Sequence, residues 1–202
     1  IANAKGQTPL YKAASSSFVE PKAFQALFSE DSLAVSCLNQ KDRRGEPLLI
    51  TAIRAQVYNP HAFKNARYLV EQGACVNTSD ALGASPLHAV LEVAPFTQET
   101  LTFIEFLLEK GADANAQRQD GATPLHLGVA GACVKRSEGR AGSLCPGALT
   151  ILDTLVAHKA KIDLITKAGE TPLDWARASQ CPELIDWLLH NGAYGPMSLP
   201  KE

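Results

Sequence analysis

The chain has no basic excess, no long apolar run and no dense cysteine framework, and each absence narrows what it can do. Lys and Arg together number 19 against 21 Asp and Glu, for a formal net charge of −2. A protein that coats a polyanion carries a cationic surplus that releases counterions, so nucleic acid is not an expected partner. No stretch approaches the roughly 18 consecutive apolar residues of a membrane helix, so no membrane association is expected. The cysteines, Cys37, Cys75, Cys133, Cys145 and Cys181, are odd in number, and none shows the close pairing of a zinc or redox motif. Scattered single thiols suit a reducing, cytoplasmic compartment. Cys133 and Cys145 flank one loop and are the two that oxidation could join, but a reducing compartment argues against the pairing. No glycine-rich phosphate loop and no paired-carboxylate motif is seen, so neither cofactor, metal nor small-molecule substrate is expected. The first residues, Ile1-Ala2-Asn3-Ala4-Lys5, include no initiator methionine and no signal peptide, so the chain is expected to be a piece of a longer protein.

What the sequence does have is repetition. A phrase recurs as Gly6-Gln7-Thr8-Pro9-Leu10, Gly45-Glu46-Pro47-Leu48, Gly83-Ala84-Ser85-Pro86-Leu87-His88, Gly121-Ala122-Thr123-Pro124-Leu125-His126 and Gly169-Glu170-Thr171-Pro172-Leu173-Asp174. Thr or Ser before Pro reads as a helix N-cap followed by a first-turn proline, whose missing amide costs nothing there. The glycine before it permits a turn that a side chain would obstruct. A second phrase, Gly73-Ala74, Gly111-Ala112 and Gly192-Ala193, sits where a left-handed residue ends a helix, and Lys159-Ala160 takes that place in a fourth copy. Upstream of these stops run helical apolar spacings, such as Leu101, Ile104, Leu107 and Leu108. One unit is therefore turn, helix, loop, helix, glycine stop.

The unit resembles the ankyrin repeat, whose Thr-Pro-Leu-His phrase stands here as Thr123-Pro124-Leu125-His126 after Asp113-Ala114-Asn115-Ala116. The resemblance covers nearly the whole chain. It implies one all-α ankyrin-repeat solenoid over residues 1–202, with about five helix-loop-helix repeats and short β-hairpin fingers. The approximate repeats are 4–41, 42–80, 81–118, 119–166 and 167–196. The prolines at 9, 47, 86, 124 and 172 are 38, 39, 38 and 48 residues apart, all beyond the family's about 33. Each later proline follows its stop by 13 residues, which puts the surplus of repeats two to four between the two helices. The first repeat has no glycine stop at Ser29-Glu30-Asp31-Ser32 and is expected to act as an atypical cap. The largest surplus, Cys133 to Pro146, is rich in Gly and Ser and locally basic, and reads as an exposed, mobile loop. Long, uneven inter-helix loops are similar to those of ankyrin arrays in effectors that intracellular bacteria deliver into a host cytosol.

The resemblance implies protein binding through fingers and the ends of first helices by a monomer, and no catalysis. On those positions stand Arg43, Arg54, Leu82, Glu92, Gln119, Asp120, Ile165 and Lys167. Leu82 and Ile165 are large and apolar where small or polar residues are usual, which makes them candidate anchors. Lys41, Arg43, Arg44 and Arg54 form a basic cluster expected to receive carboxylates or phosphates. His126 beside Cys133 and Asp120 has the composition of a thiol-nucleophile site, but the repeat already assigns His88 and His126 a structural place. Asn115 matches the pattern that asparaginyl hydroxylases accept in ankyrin repeats, which makes it a candidate for modification. Trp187 occupies an expected core slot in the last helix, with a cost of roughly 3–5 kcal/mol on truncation. The alternative function is that of a substrate-recruiting arm for an enzyme or effector whose catalytic domain lies outside these residues.

Overall fold

The computed structural model describes residues 8–16, 20–30, 38–57, 59, 61–134 and 143–194. Cys37, residues 135–142 of the expected loop and the side chains of Leu27 and Phe28 lie outside the described residues. The described chain is mainly helical: α1 (Pro9–Ala14), α2 (Pro21–Glu30), α3 (Leu48–Arg54), α4 (Ala62–Glu71), α5 (Pro86–Val93), α6 (Gln98–Glu109), α7 (Pro124–Gly131), α8 (Ala148–Ala157), α9 (Pro172–Ala178) and α10 (Pro182–His190). A short 3₁₀ turn, Ala55–Val57, extends α3.

The helices start where the repeated phrase predicts. Thr8, Thr123 and Thr171 hold extended backbone, and their hydroxyls accept from the N–H groups of Tyr11, His126 and Asp174. The bond is returned, since Thr123 N donates to His126 Nδ1 at 3.2 Å and Thr171 N to Asp174 Oδ2 at 2.9 Å. These are reciprocal capping boxes with His or Asp in the place of the usual Glu. The helices end on left-handed residues. Gly73, Gly111 and Gly192 have φ of 101°, 86° and 87°, and Lys159 takes φ 67° at the matching point. The motif closes alike at three of these ends: Gly73 N and Ala74 N donate to the Val70 and Leu69 carbonyls, Lys159 N and Ala160 N to those of Val156 and Leu155, and Gly192 N and Ala193 N to those of Leu189 and Leu188.

The chain divides into two compact units, Ile1–Ala94 with Glu109–Ala112 and Pro95–Leu108 with Asp113–Glu202. In the first, α1 packs on α3 and α3 on α5, while α2 and α4 pair beside them. Phe24, Leu48, Leu49, Ile50, Ile53 and Leu69 fill its core. In the second, α7 packs on α9, with α8 and α10 behind, around Leu125, Ile151, Leu152 and Leu184. First helix on first helix is thus the stacking rule inside each unit.

Three expectations are corrected. Among the described residues the fingers are tight turns, with one isolated bridge, Lys41 to Pro47, and not strand-paired hairpins. Strand pairing appears instead at the root of the long insertion, where β1 (Cys133–Val134) runs antiparallel to β2 (Ser143–Leu144). Trp187 is only half-buried, because its indole N–H reaches out to Asp153 Oδ1 at 2.8 Å; Leu184 and Leu188, fully buried, take the core slots.

Candidate partner-binding surface

Four turns of one build precede the helix caps. In each, two backbone bonds close the loop: Asp42 N to Glu46 O and Gly45 N to Asp42 O, Asp80 to Ala84 and Gly83 to Asp80, Arg118 to Ala122 and Gly121 to Arg118, Thr166 to Glu170 and Gly169 to Thr166. The glycines hold φ between 77° and 84°, which explains why that place in the phrase never varies. In the first unit a carboxylate locks the loop. Asp42 Oδ1 accepts from Arg44 N and Glu46 N at 2.8 and 3.1 Å, and Asp80 Oδ1 accepts from Leu82 N and Ala84 N at 2.8 and 2.9 Å. In the second unit the Thr166 hydroxyl accepts from Glu170 N, and Asp120 Oδ1 from Ala122 N.

Neighbouring turns touch. Lys167 N donates to the Asp120 carbonyl at 2.8 Å, and a methyl group placed on Gly121 would stand 2.8 Å from that same nitrogen. Third-position side chains of first helices also reach the next turn. Tyr11 OH lies 2.6 Å from the Gln40 carbonyl and 2.9 Å from that of Glu46, and His126 Nε2 lies 3.2 Å from the Glu170 carbonyl. Burial, with the Asp42 and Glu46 charges, raises the Tyr11 hydroxyl well above its usual range. Burial likewise holds the His126 imidazole below its ordinary pKa of 6.5, and Trp175 packs edge-on against it at 5.2 Å. Both histidines of the phrase are fully buried at their caps, where each ring meets the hydroxyl of its capping residue.

A third stitch repeats along the stops. Asn39 Nδ2 donates to the Gly73 carbonyl at 3.5 Å while its Oδ1 accepts from Cys75 N at 2.7 Å. Asn77 Nδ2 donates to the Gly111 carbonyl at 2.9 Å. Asn115 Nδ2 donates to the Lys159 carbonyl at 2.8 Å and its Oδ1 accepts from Lys161 N at 2.7 Å. The candidate modification residue is therefore one of a series of clasps.

The residues singled out on the sequence divide into those turned outward and those engaged within the fold. Leu82 and Ile165 are 63% and 55% exposed. Arg43, Gln119 and Lys167 are exposed on their turns. Arg54 is not an open carboxylate receptor. Its guanidinium meets Glu46 at 3.1 Å, Asp80 at 2.9 Å and Glu92 at 3.2 Å, so Arg54 and Glu92 are both engaged within the fold. Burial alone would raise the Asp80 carboxyl; the Ala84 N–H and Arg54 outweigh it and hold the group below its ordinary value. Asp120 pairs with the Arg118 guanidinium, which lowers it to about 2.

Cys133 and Cys145 are free thiols. The register Cys133 to Leu144 places Cys145 one residue on, where strand alternation turns its side chain to the other face. Cys133 Sγ instead contacts the Ser179 carbonyl at 3.6 Å, and burial pushes the Cys181 thiol up to about 11. Sequence reasoning missed Asp42 and Asp80 as turn locks and Asn39 and Asn77 as clasps. The signals were there for three of the four: Asp two residues before the Gly-preceding position in both turns, and Asn77 four residues after the Gly73 stop, whereas Asn39 follows no glycine stop. Among the described residues no His, Cys, Asp and Glu group is arranged to hold a metal ion, and no helix is long and apolar enough to cross a membrane. No protein-family model and no curated protein matches the chain.

Proposed function

We propose that the chain is an ankyrin-repeat module that binds a partner protein through its turn tips and first helices. One observation carries the reading: four turns share a backbone but differ at their tips. The two central positions are Arg43-Arg44, Ala81-Leu82, Gln119-Asp120 and Lys167-Ala168. The backbone that closes each turn is the same, while the residues at its tip differ, and a rigid scaffold with variable loops is suited to recognition. Leu82 and Ile165 supply the apolar anchors that dominate interfaces when buried by a partner. On this reading the protein is a cytosolic monomer without catalytic activity of its own.

Affinity capture from eukaryotic cytosol, followed by mass spectrometry, tests the reading with the parent chain and a variant carrying Leu82→Arg and Ile165→Glu. A partner held by the parent and lost by the variant is the expected result. A partner held by both moves the contact to the insertion at 133–146 or to Lys41, Arg43 and Arg44. A parent chain that captures nothing specific overturns the binding role.

A further inference from the structure

Three thiols gather in the second unit. Cys133 starts β1 just past α7, Cys145 directly follows β2, and Cys181 stands at the N-cap of α10. Cys133 neighbours both others, and its side chain hydrogen-bonds with that of Cys181. The backbone explains the pairing. Gln180 takes a left-handed φ of 52° between Ser179 and Cys181, and Cys133 Sγ donates to the Ser179 carbonyl at 3.6 Å. Cys181 Sγ donates to Glu183 Oε2 at 3.4 Å, so an acceptor for its proton is already in place. Cys145 Sγ is given instead to the Gly131 carbonyl at 3.7 Å.

We propose that Cys133 and Cys181 form a redox modification site, at which a low-molecular-weight disulfide oxidises the two thiols to one intramolecular disulfide. What marks this pair is that two side chains from distant parts of the chain converge in contact, as a cross-link requires. The exchange balances without another reagent. Cys133, 8% exposed against 0% for Cys181, loses its proton to water and attacks one sulfur of the small disulfide, releasing one thiolate. Cys181 passes its proton to Glu183 and attacks the Cys133 sulfur, which breaks the mixed disulfide and releases a second thiolate. The two released thiolates take up the two protons. Two protein thiols are thereby oxidised, and one small disulfide is reduced to two thiols. Burial raises the Cys181 thiol, which makes it a poor first nucleophile and leaves it the second step. The bond fastens the start of α10 to the end of α7 and encloses residues 134–180, with α8 and α9 inside the loop. Closing such a loop restricts the unfolded chain more than the folded one, so oxidation stabilises this unit. None of this depends on what the turn tips bind.

The test incubates the whole chain with oxidised glutathione under native, mildly alkaline conditions and blocks the remaining thiols. Tryptic digestion and mass spectrometry then map the disulfides. Cys133, Cys145 and Cys181 fall on three different tryptic peptides, 119–135, 141–159 and 178–201, so the pairings are distinguishable. Peptide 119–135 linked to 178–201 is the expected main product, with the exposed Cys75 left as a mixed disulfide. The linked chain should melt roughly 5–10 °C above the reduced one, and a reductant should reverse the rise. Cys145→Ser should keep both the link and the rise, and Cys181→Ser should lose both. Melts of the reduced variants check that each folds, and the map of the parent chain decides the pairing without them. Glu183→Gln should slow linking severalfold at an unchanged yield; an unchanged rate removes Glu183 from the second step. A main product joining 119–135 to 141–159, a link that forms only once urea unfolds the chain, or no intramolecular disulfide each overturns the proposal.

Discussion

The turn at Asp80 and the turn at Thr166 follow the same backbone path but are held by different chemistry. At Asp80 one carboxylate, almost wholly buried, accepts two N–H groups and a guanidinium, so the turn is tied electrostatically to Glu46 and Glu92 through Arg54. At Thr166 a hydroxyl accepts one N–H group, and the turn is secured by the Lys167 N bond to the Asp120 carbonyl at 2.8 Å, an approach so close that Gly121 has no room for a methyl group. The first arrangement is sensitive to charge and pH; the second is sensitive to atoms added where none fit. Repeats of one build therefore fail in different ways.

The largest effect is expected from Gly121→Ala, which combines a left-handed backbone with a 2.8 Å approach to Lys167 N and should cost about 3–5 kcal/mol. Gly169→Ala shares the positive φ but meets nothing within 4 Å, so about 1 kcal/mol is expected. Urea unfolding of the two variants separates packing from conformation, and equal losses would break the contrast. Next comes Asp80→Ala, which strips acceptors from buried N–H groups and should cost about 2–3 kcal/mol. The Arg54 share of that is small because the guanidinium is partly solvated.

Acidification sharpens the same contrast. His126 is held below its unfolded value of 6.5, so the unfolded chain binds that proton more readily and stability falls as pH drops below about 6.5. Asp80, Asp120 and Asp174 are held below their unfolded value of 3.8; they contribute stability above it that is lost as pH falls further. Thermal melts at pH 7, 5.5 and 3.5 should decline in two stages, the first removed by His126→Gln. Trp187→Ala should cost about 1–2 kcal/mol, less than a core site would, since the ring is half-exposed. Smallest is a gain: Lys159→Gly relieves a left-handed non-glycine residue and should stabilise by about 0.5–1 kcal/mol.

The features legible in the sequence are those determined within a few residues. Thr-Pro caps, glycine stops and the left-handed place of Lys159 follow from spacing, and the outward Leu82 and Ile165 from the resemblance to the ankyrin repeat. What was illegible depends on groups far apart in the chain. The Arg54 side chain is claimed by Asp80 and Glu92, 26 and 38 residues away, so nothing near Arg54 announces its engagement. Trp187 turned outward because Asp153, 34 residues back, offers its indole an acceptor. The hairpin root depended on pairing across an insertion whose Gly and Ser content predicted only a loop.

That hairpin root also bears on how the chain can be lengthened. Val134 and Ser143 are paired, which holds the two ends of the intervening segment about 5 Å apart. The entropy of closing a loop between fixed ends grows only with the logarithm of its length. A foreign peptide or a whole folded domain whose own termini lie close together can therefore be grafted between these two residues at a cost of about 1 kcal/mol for a fourfold longer segment. The insertion thus provides a port for labels and sensors that leaves the turns and clasps of the scaffold untouched.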